Sequence, residues 1–290
     1  MSIEVSDIAL NPNLILHDKY QIQEVYYLGQ TAIVYFGRDL LTNNEVVIKE
    51  FMPHALANRD MDGKTIICKS KKYLNMWEKS RDAFAFECEQ VYTLRTLKKP
   101  YEGCVLKYLD DFDENGTKYL ITEKINGKSL QDYIESGEKF SIRQTMQEVV
   151  DIVAQIHKNN IVHCDIKPSN IILREDGKAV LIDFGSSVKK DCLQREITFV
   201  SRGYSAPELY HGEKIDKKTD IYSIGAILYH LLTDYQLPEP DDYDEQEEIP
   251  PLSQFVEISQ FLEKVILASI QRDRKKRLNS LALMQAVLKI

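Results

Sequence analysis

The chain has 290 residues, of which 43% are hydrophobic and 28% are charged, and both values are ordinary for a globular protein. That length suits one large domain or two lobes with buried cores. The formal net charge of −8 gives no electrostatic reason to expect a nucleic-acid partner.

The first half of the chain has the composition of β-strands. Asn115-Gly116 is a strong hairpin signal between two of the strands. A single helix, over residues 81–97, interrupts the series. Five segments rich in β-branched and aromatic residues are the predicted strands: 20–29, 32–40, 46–51, 105–112 and 118–123.

The second half predicts mainly helices. Residues 141–160 begin with a serine cap and have apolar residues at helical spacing. Residues 220–232 are apolar nearly all round, which is typical of a helix inside a core. A last helix starts near Asn279, its predicted cap, and the acidic, proline-containing run 234–251 predicts a solvated loop.

These elements indicate an α+β fold in two lobes. We expect a single domain over 1–290, with a strand-rich N-lobe (1–122), a hinge (123–127) and a mostly helical C-lobe (128–290). The longest apolar run, 221–232, is too short to span a bilayer, and no signal peptide is apparent. Five widely spaced cysteines without a CxxC pair fit a reducing compartment, so we expect a cytoplasmic protein with no membrane segment in this chain.

A lysine at the end of a predicted buried strand needs a partner. Lys49 ends the run VVIK, and an isolated charge there would be costly to bury. On the helix that follows, Glu87 shares a face with the apolar Phe84 and Val91, whereas Glu89 points away. The pattern predicts a buried Lys49–Glu87 ion pair, and the alternative is that the two are unrelated surface residues.

Two polar loops flank a predicted hairpin in the second half. IVHCDIKPSN (161–170) contains Asp165, Lys167 and Asn170, and Pro168 keeps it from being helical. VLIDFG (180–185) ends a short strand at Asp183. Paired strands at 171–173 and 180–182 would bring both loops to one edge, where two carboxylates and an amide oxygen suit Mg²⁺.

The ordered set of motifs resembles the eukaryotic-like protein kinases. VVIK, a helical glutamate, HxDxKxxN, DFG, SAPE (205–208) and a buried DIYSIG helix follow one another as in that family, over roughly residues 18 to 290. The stretch IKEFMPHALANRDMDGKTI is more similar to the bacterial Ser/Thr kinases. The resemblance implies a bilobal protein-kinase fold that uses ATP and Mg²⁺ and acts on protein substrates.

The resemblance also implies a role for each matching residue. Asp165 would be the catalytic base, Lys167 would steady the γ-phosphate, and Lys49, paired with Glu87, would contact the α- and β-phosphates. Asn170 and Asp183 would hold the metal. The remaining nucleotide contacts would come from the phosphate-covering loop, the residue before the hinge and the hinge itself: Gly29, Ala32, Val34, Thr122, Glu123 and Ile125. Three further roles, which are structural, would fall to His163 as a brace, to Asp220 as the anchor of the catalytic loop, and to a Glu208–Arg277 link.

Two departures from the family pattern bear on function. The loop that should read GxGxxGxV keeps only its middle glycine, Gly29, and has Tyr27 at the first position. Cys164 stands where many kinases have an arginine that meets a phosphate on the activation loop. We therefore expect activity that does not depend on phosphorylation at Ser186, Ser187 or Thr198. Apolar contacts would hold the loop instead, at Ile197, Phe199 and Val200.

Two alternatives to an active, autophosphorylating Ser/Thr kinase stay open. A pseudokinase that binds nucleotide as a scaffold is favoured by the incomplete glycine loop, and a small-molecule phosphotransferase would share the core. The retained Lys49, Asp165, Asn170 and Asp183 weigh against the first, and the SAPE segment weighs against the second. Residues 50–86 are longer than a strand-to-helix link needs and predict an ordered insertion with a solvated basic face, or else a docking surface.

Overall fold

The computed structural model describes residues 8–95, 103–189, 200–242 and 249–289. They form two compact units, one of residues 1–96 with 106–125 and one of residues 97–105 with 126–290. Seven α-helices and thirteen strands lie in the described residues. None of these helices has the length and hydropathy to cross a lipid bilayer.

Unit 1 is built on one antiparallel sheet. Its six strands lie in the order β1-β2-β3-β4-β8-β7, and β5 and β6 pair as a separate ribbon. The helix α1 (Leu74–Leu94) follows that ribbon. The strands are β1 (Ile15–Leu16), β2 (Tyr20–Leu28), β3 (Ala32–Asp39), β4 (Glu45–Phe51), β5 (Ala57–Arg59), β6 (Ile66–Cys68), β7 (Tyr108–Glu114) and β8 (Thr117–Glu123).

Two element boundaries in unit 1 differ from the sequence prediction. Helix α1 begins at Leu74 rather than near residue 81, because Trp77 is buried against Phe51 and extends the apolar face by two turns. The strand predicted from residue 105 begins at Tyr108, since Val105 instead bridges Leu181 within unit 2.

The insertion between β4 and α1 is ordered. It holds the β5–β6 ribbon and a short 3₁₀ turn at Lys71–Tyr73. Its lysines are exposed, which agrees with the solvated basic face expected from the sequence: Lys64, Lys69, Lys71 and Lys72.

Unit 2 is mostly helical, with short ribbons that carry its loops. Three strands form the sheet β12-β11-β9, and β10 pairs with β13. The strands are β9 (Gly127–Ser129), β10 (Ile161–Val162), β11 (Ile171–Arg174), β12 (Ala179–Leu181) and β13 (Val188–Lys189). The helices are α2 (Leu130–Ser136), α3 (Ile142–Lys158), α4 (Pro207–Tyr210), α5 (Lys217–Thr233), α6 (Gln260–Ser269) and α7 (Ala282–Lys289).

Helix α5 forms the centre of the unit 2 core, as its all-round apolar sequence predicted. Residues 219–229 are all buried. Helix α3 turns a buried face that includes Met146 and Val153 toward the core, and its Ser141 cap accepts from the Gln144 N–H. At α7 the hydroxyl that caps the first turn is that of Ser280, not the predicted Asn279, because the helix begins at Ala282.

Candidate functional site

The ion pair predicted between β4 and α1 is formed. Lys49 Nζ donates to Glu87 Oε1 across 2.6 Å. Glu87 is buried together with Phe84 and Val91, whereas Glu89 is exposed, so the helix phase is the predicted one. Each charge makes the burial of the other tolerable, because a single charge at this depth would lack compensation for its lost hydration.

The turn that would cover the phosphates is tight. The Gly29 N–H donates to the Ala32 carbonyl at 2.9 Å. A Cβ on Gly29 would lie 2.9 Å from that oxygen and 3.2 Å from the Tyr27 ring. The turn therefore requires glycine at position 29, and it accommodates Tyr27 as an exposed ring packed against that glycine.

The other predicted nucleotide contacts lie on β3, β8 and the segment after β8. Val34 is the register partner of Lys49, and the buried Thr122 is the partner of Val47. Glu123 ends β8, and Ile125 is the last residue of unit 1.

The Asp165 carboxylate is held by three side chains of unit 2. Its Oδ1 accepts from Ser201 Oγ at 2.6 Å. Its Oδ2 accepts from Lys167 Nζ at 2.8 Å and from Asn170 Nδ2 at 3.1 Å. The side chain is 16% exposed, so a fixed carboxylate oxygen remains accessible to a hydroxyl that must lose a proton.

The β11–β12 hairpin brings Asn170 and Asp183 together, as predicted. Ile171 pairs with Leu181, and the Ile182 N–H donates to the Asn170 carbonyl at 2.9 Å. The Asn170 amide nitrogen donates to Asp165 twice, to its carbonyl at 2.9 Å and to its carboxylate at 3.1 Å, which leaves the amide oxygen as an acceptor.

This donor set fits Mg²⁺, which takes one or two protein oxygens and completes its shell with phosphate and water. No group of three or more His, Cys, Asp or Glu side chains suited to a metal occurs in the described part of the chain. The two oxygens therefore suit a metal that is held jointly with a nucleotide.

Asp220 at the start of α5 fixes the catalytic loop. Its carboxylate accepts from the His163 N–H and from the Cys164 N–H, each at 2.9 Å, which confirms the predicted anchor. The His163 ring packs on Phe184 at 4.8 Å and lies 3.2 Å from the Ile182 carbonyl through Nε2, so this histidine is a brace, as expected.

His157 is a partner of Asp220 that the sequence analysis missed. Its Nε2 lies 2.7 Å from Asp220 Oδ2. Burial alone would raise the pKa of Asp220, but the hydrogen bond and charge of His157 help to hold that pKa below its usual value. The available signal was the position of His157 at the end of α3, six residues before His163.

Replacing His157 by leucine is expected to lower the free energy of unfolding by about 1–3 kcal/mol and to reduce turnover. The fully buried Asp220 would lose a partner and hold the loop less firmly. The lowered pKa of Asp220 contributes stability that is fully present above the ordinary aspartate pKa and is lost as the pH falls through the folded pKa. Without His157 that contribution is smaller, so the variant should unfold at a less acidic pH. Thermal and acid unfolding of the variant check these expectations. The control is Lys158→Leu, which replaces an exposed neighbouring residue and should change the stability little.

Cys164 lies in an apolar cluster. The thiol is 3% exposed, and it is grouped with Val162 and three residues from later elements. These are Val188 on β13, Leu209 on α4 and Ile215. An arginine here would bury a cation among apolar side chains, which is costly without a partner.

The structure changes two of the expectations about the activation loop. Val200 is 40% exposed and makes no apolar anchor, whereas Ile197, Phe199 and Thr198 lie outside the described residues. Ser187 is fully buried and its hydroxyl donates to the Phe184 carbonyl at 2.7 Å, so it is not available as a phosphosite.

The predicted link between the SAPE segment and the last part of the chain is present. Arg277 donates to both oxygens of Glu208, at 2.7 and 3.0 Å, and both side chains are fully buried. The fork geometry makes this a specific pair, and it fixes the segment after Ser205 to the helical core.

Comparisons with known proteins identify the family of this chain. A family model described as "Protein kinase domain" matches residues 28–288. The serine/threonine-protein kinase PknB of Mycolicibacterium smegmatis is 22% identical over 289 residues, covering 94% of this chain and 43% of the relative. A probable serine/threonine-protein kinase of Clostridium acetobutylicum is 26% identical over 278 residues, covering 91% of this chain and 38% of the relative. The chain thus spans less than half the length of these relatives.

A solved structure, "PpkA-294 apo form", has the same fold. The TM-score is 0.79 at 24% sequence identity, and the match covers 97% of this chain and 99% of the other. This confirms the expected bilobal α+β kinase fold. With the family match over residues 28–288, it shows that the chain belongs to the protein kinase family, of the eukaryotic-like serine/threonine type found in bacteria.

Proposed function

We propose that the protein transfers the γ-phosphate of Mg-ATP to serine and threonine hydroxyls of protein substrates, and to its own. The observation that carries this proposal is the Asp165 carboxylate, fixed by Ser201, Lys167 and Asn170 at 2.6 to 3.1 Å. A carboxylate in a set geometry is the group that accepts the hydroxyl proton in this chemistry.

Two groups of residues would take part in the chemistry. In unit 1, Lys49 places a positive charge for the α- and β-phosphates and Glu87 orients it. In unit 2, Lys167 would steady the transferred phosphate, and Asn170 and Asp183 would hold Mg²⁺, which offsets phosphate charge when bound. Residues of the turn after β2, of β3, of β8 and of the hinge would bind the nucleotide: Gly29, Ala32, Val34, Thr122, Glu123 and Ile125.

The domain boundaries remain part of this proposal. The N-lobe would be 1–122, the hinge 123–127 and the C-lobe 128–290. The described cysteines are all thiols, which supports a reducing, cytoplasmic location for this domain: Cys68, Cys88, Cys104 and Cys164.

We also propose that activity does not require a phosphate on the activation loop. The apolar cluster around Cys164 supports this, because a thiol among Val188, Leu209 and Ile215 cannot pair with a phosphate as an arginine would. The β10–β13 pairing, Val162 with Val188, adds a backbone contact near the loop that needs no phosphate.

The test is an initial-rate assay on an exogenous protein substrate after phosphatase treatment. The Ser186→Ala, Thr198→Ala double variant should retain wild-type activity within about twofold. Removal of metal with EDTA should abolish the activity of both proteins. Ser187 is left intact because its replacement would disturb the turn at Phe184. A fall of about tenfold, roughly 1.4 kcal/mol in the barrier, would mean that loop phosphorylation drives the enzyme. ATP binding without any transfer would favour the pseudokinase reading suggested by the incomplete glycine loop.

A further inference from the structure

A second buried ion pair lies on β4, one residue after Lys49. Arg59 on β5 donates to both carboxylate oxygens of Glu50, through Nη2 to Oε2 at 2.6 Å and through Nη1 to Oε1 at 3.2 Å. Their side chains are 3% and 0% exposed. Successive residues of a strand point to opposite faces, so this pair lies on the side of the sheet away from Lys49 and α1.

Two tyrosines complete the hydrogen bonding of Glu50. Tyr35 donates its hydroxyl to Oε2 at 2.6 Å, and Tyr119 donates to Oε1 at 2.8 Å. Burial and the neighbouring Glu50 carboxylate raise the pKa of both tyrosines, so both hydroxyls stay protonated as donors. Each carboxylate oxygen therefore has two donors, and strands β3, β4, β5 and β8 meet at one charged group.

Arg59 also holds two loops. Its Nε donates to the Ile8 carbonyl at 2.7 Å, and its Nη1 donates to the Lys64 carbonyl at 2.7 Å. Tyr35 adds a second contact to the N-terminal segment by accepting from the Leu10 N–H at 3.0 Å. One guanidinium thus joins the sheet to the segment before β1 and to the turn between β5 and β6.

The insertion that Arg59 anchors is the link from Lys49 to Glu87. Further bonds stiffen it, since the Ile66 N–H donates to the Asn115 carbonyl and the Lys69 N–H to the Leu56 carbonyl. Where the link enters α1, Trp77 packs on Phe51 with ring centroids 5.1 Å apart. A link fixed at both ends sets where α1 lies relative to β4 within unit 1.

We propose that Arg59 is a positioning residue for phosphoryl transfer. By clamping Glu50 and the insertion, it holds α1 against β4 and so keeps Lys49 and Glu87 together. A buried ion pair adds little net stability because desolvation offsets attraction, so its value here lies in fixing geometry. The proposal rests on the proposed function only for its kinetic readout.

The first measurement needs no activity. Hydrogen–deuterium exchange should become faster in residues 45–51 and 84–94 of the Arg59→Met variant. The matched control is Arg81→Met, which breaks the exposed 2.7 Å bridge from α1 to Asp113 on β7 and should leave those segments unchanged. Unchanged exchange in α1 of Arg59→Met would overturn the proposal, whether or not the protein proves to be a kinase.

The second measurement separates positioning from stability. Arg59→Met should lower kcat/KM for ATP about tenfold, but it should have less than a twofold effect when Glu87→Gln is already present. A loss of equal size in both backgrounds, or a lower unfolding temperature with unchanged kinetics, would mean that Arg59 is only structural. If Arg59→Met does not fold, Arg59→Met with Glu50→Leu removes both charges and serves in its place.

Discussion

Replacing Asp165 by asparagine is expected to lower kcat about a thousandfold. Asparagine keeps the size of the side chain and one acceptor oxygen, so either the bond from Ser201 to Oδ1 or the bond from Lys167 to Oδ2 can still form. It cannot accept the hydroxyl proton. Because the loss is in the chemical step, kcat should fall while KM for ATP changes little.

Asp183→Asn should be equally damaging for a different reason. Asp183 has φ 61°, a left-handed conformation that asparagine tolerates better than alanine does, so the variant tests charge rather than backbone strain. The loss of a charged oxygen ligand should weaken Mg²⁺ binding, and higher Mg²⁺ should recover part of the rate.

Glu175→Gln is the control for both variants. Glu175 is an exposed carboxylate in the turn of the same hairpin, and its replacement should leave the rate unchanged. An Asp165→Asn enzyme that keeps more than a tenth of the wild-type rate would remove Asp165 from the role of base.

The parts of the site predictable from sequence are those specified over short distances. The 171–173 and 180–182 strands are joined by a short turn, so their pairing, and with it the meeting of Asn170 and Asp183, follows from local signals. The Lys49–Glu87 pair spans 38 positions, but the helical phase of Glu87 among Phe84 and Val91 was enough to orient it.

The parts that were missed depend on packing between distant segments. The start of α1 at Leu74 is set by Trp77 against Phe51, and no capping signal marks it. Glu50 is an ordinary strand-edge charge in the sequence, and only the folded sheet brings Arg59 and the two tyrosines to it. His157 likewise gains its role from Asp220, 63 positions away.

In the activation segment, the structure corrects expectations that came from the resemblance to the kinase family. The sequence placed the apolar contacts of the loop at Ile197, Phe199 and Val200, whereas the structure shows an apolar cluster around Cys164 itself, formed with Val188, Leu209 and Ile215. The analogy did not show that Ser187 is buried beneath the turn at Phe184. Accessibility of a hydroxyl is a property of the packed loop, so a sequence position alone does not make a phosphosite.

Lys49→Met is expected to lower kcat/KM for ATP by a factor of about one hundred to one thousand, which corresponds to roughly 2.7–4 kcal/mol. Methionine has similar length and can lie in the same apolar surroundings, so the main loss is the positioned charge. Steady-state kinetics over a wide range of ATP concentrations check this, with a thermal melt to show that the variant is folded.

A second test compares Glu87 with Glu89, which lie two residues apart on α1 and face opposite sides of the helix. Glu87→Gln keeps an oxygen for the 2.6 Å bond from Lys49 but removes the charge that holds the ammonium, so kcat/KM should fall about tenfold. Glu89→Gln makes the same chemical change on the exposed side of the helix and should stay within twofold. Equal sensitivity at both positions would mean that helix stability, rather than the Lys49 contact, carries the effect. A larger loss at Glu89 would contradict the assignment of Glu87 altogether.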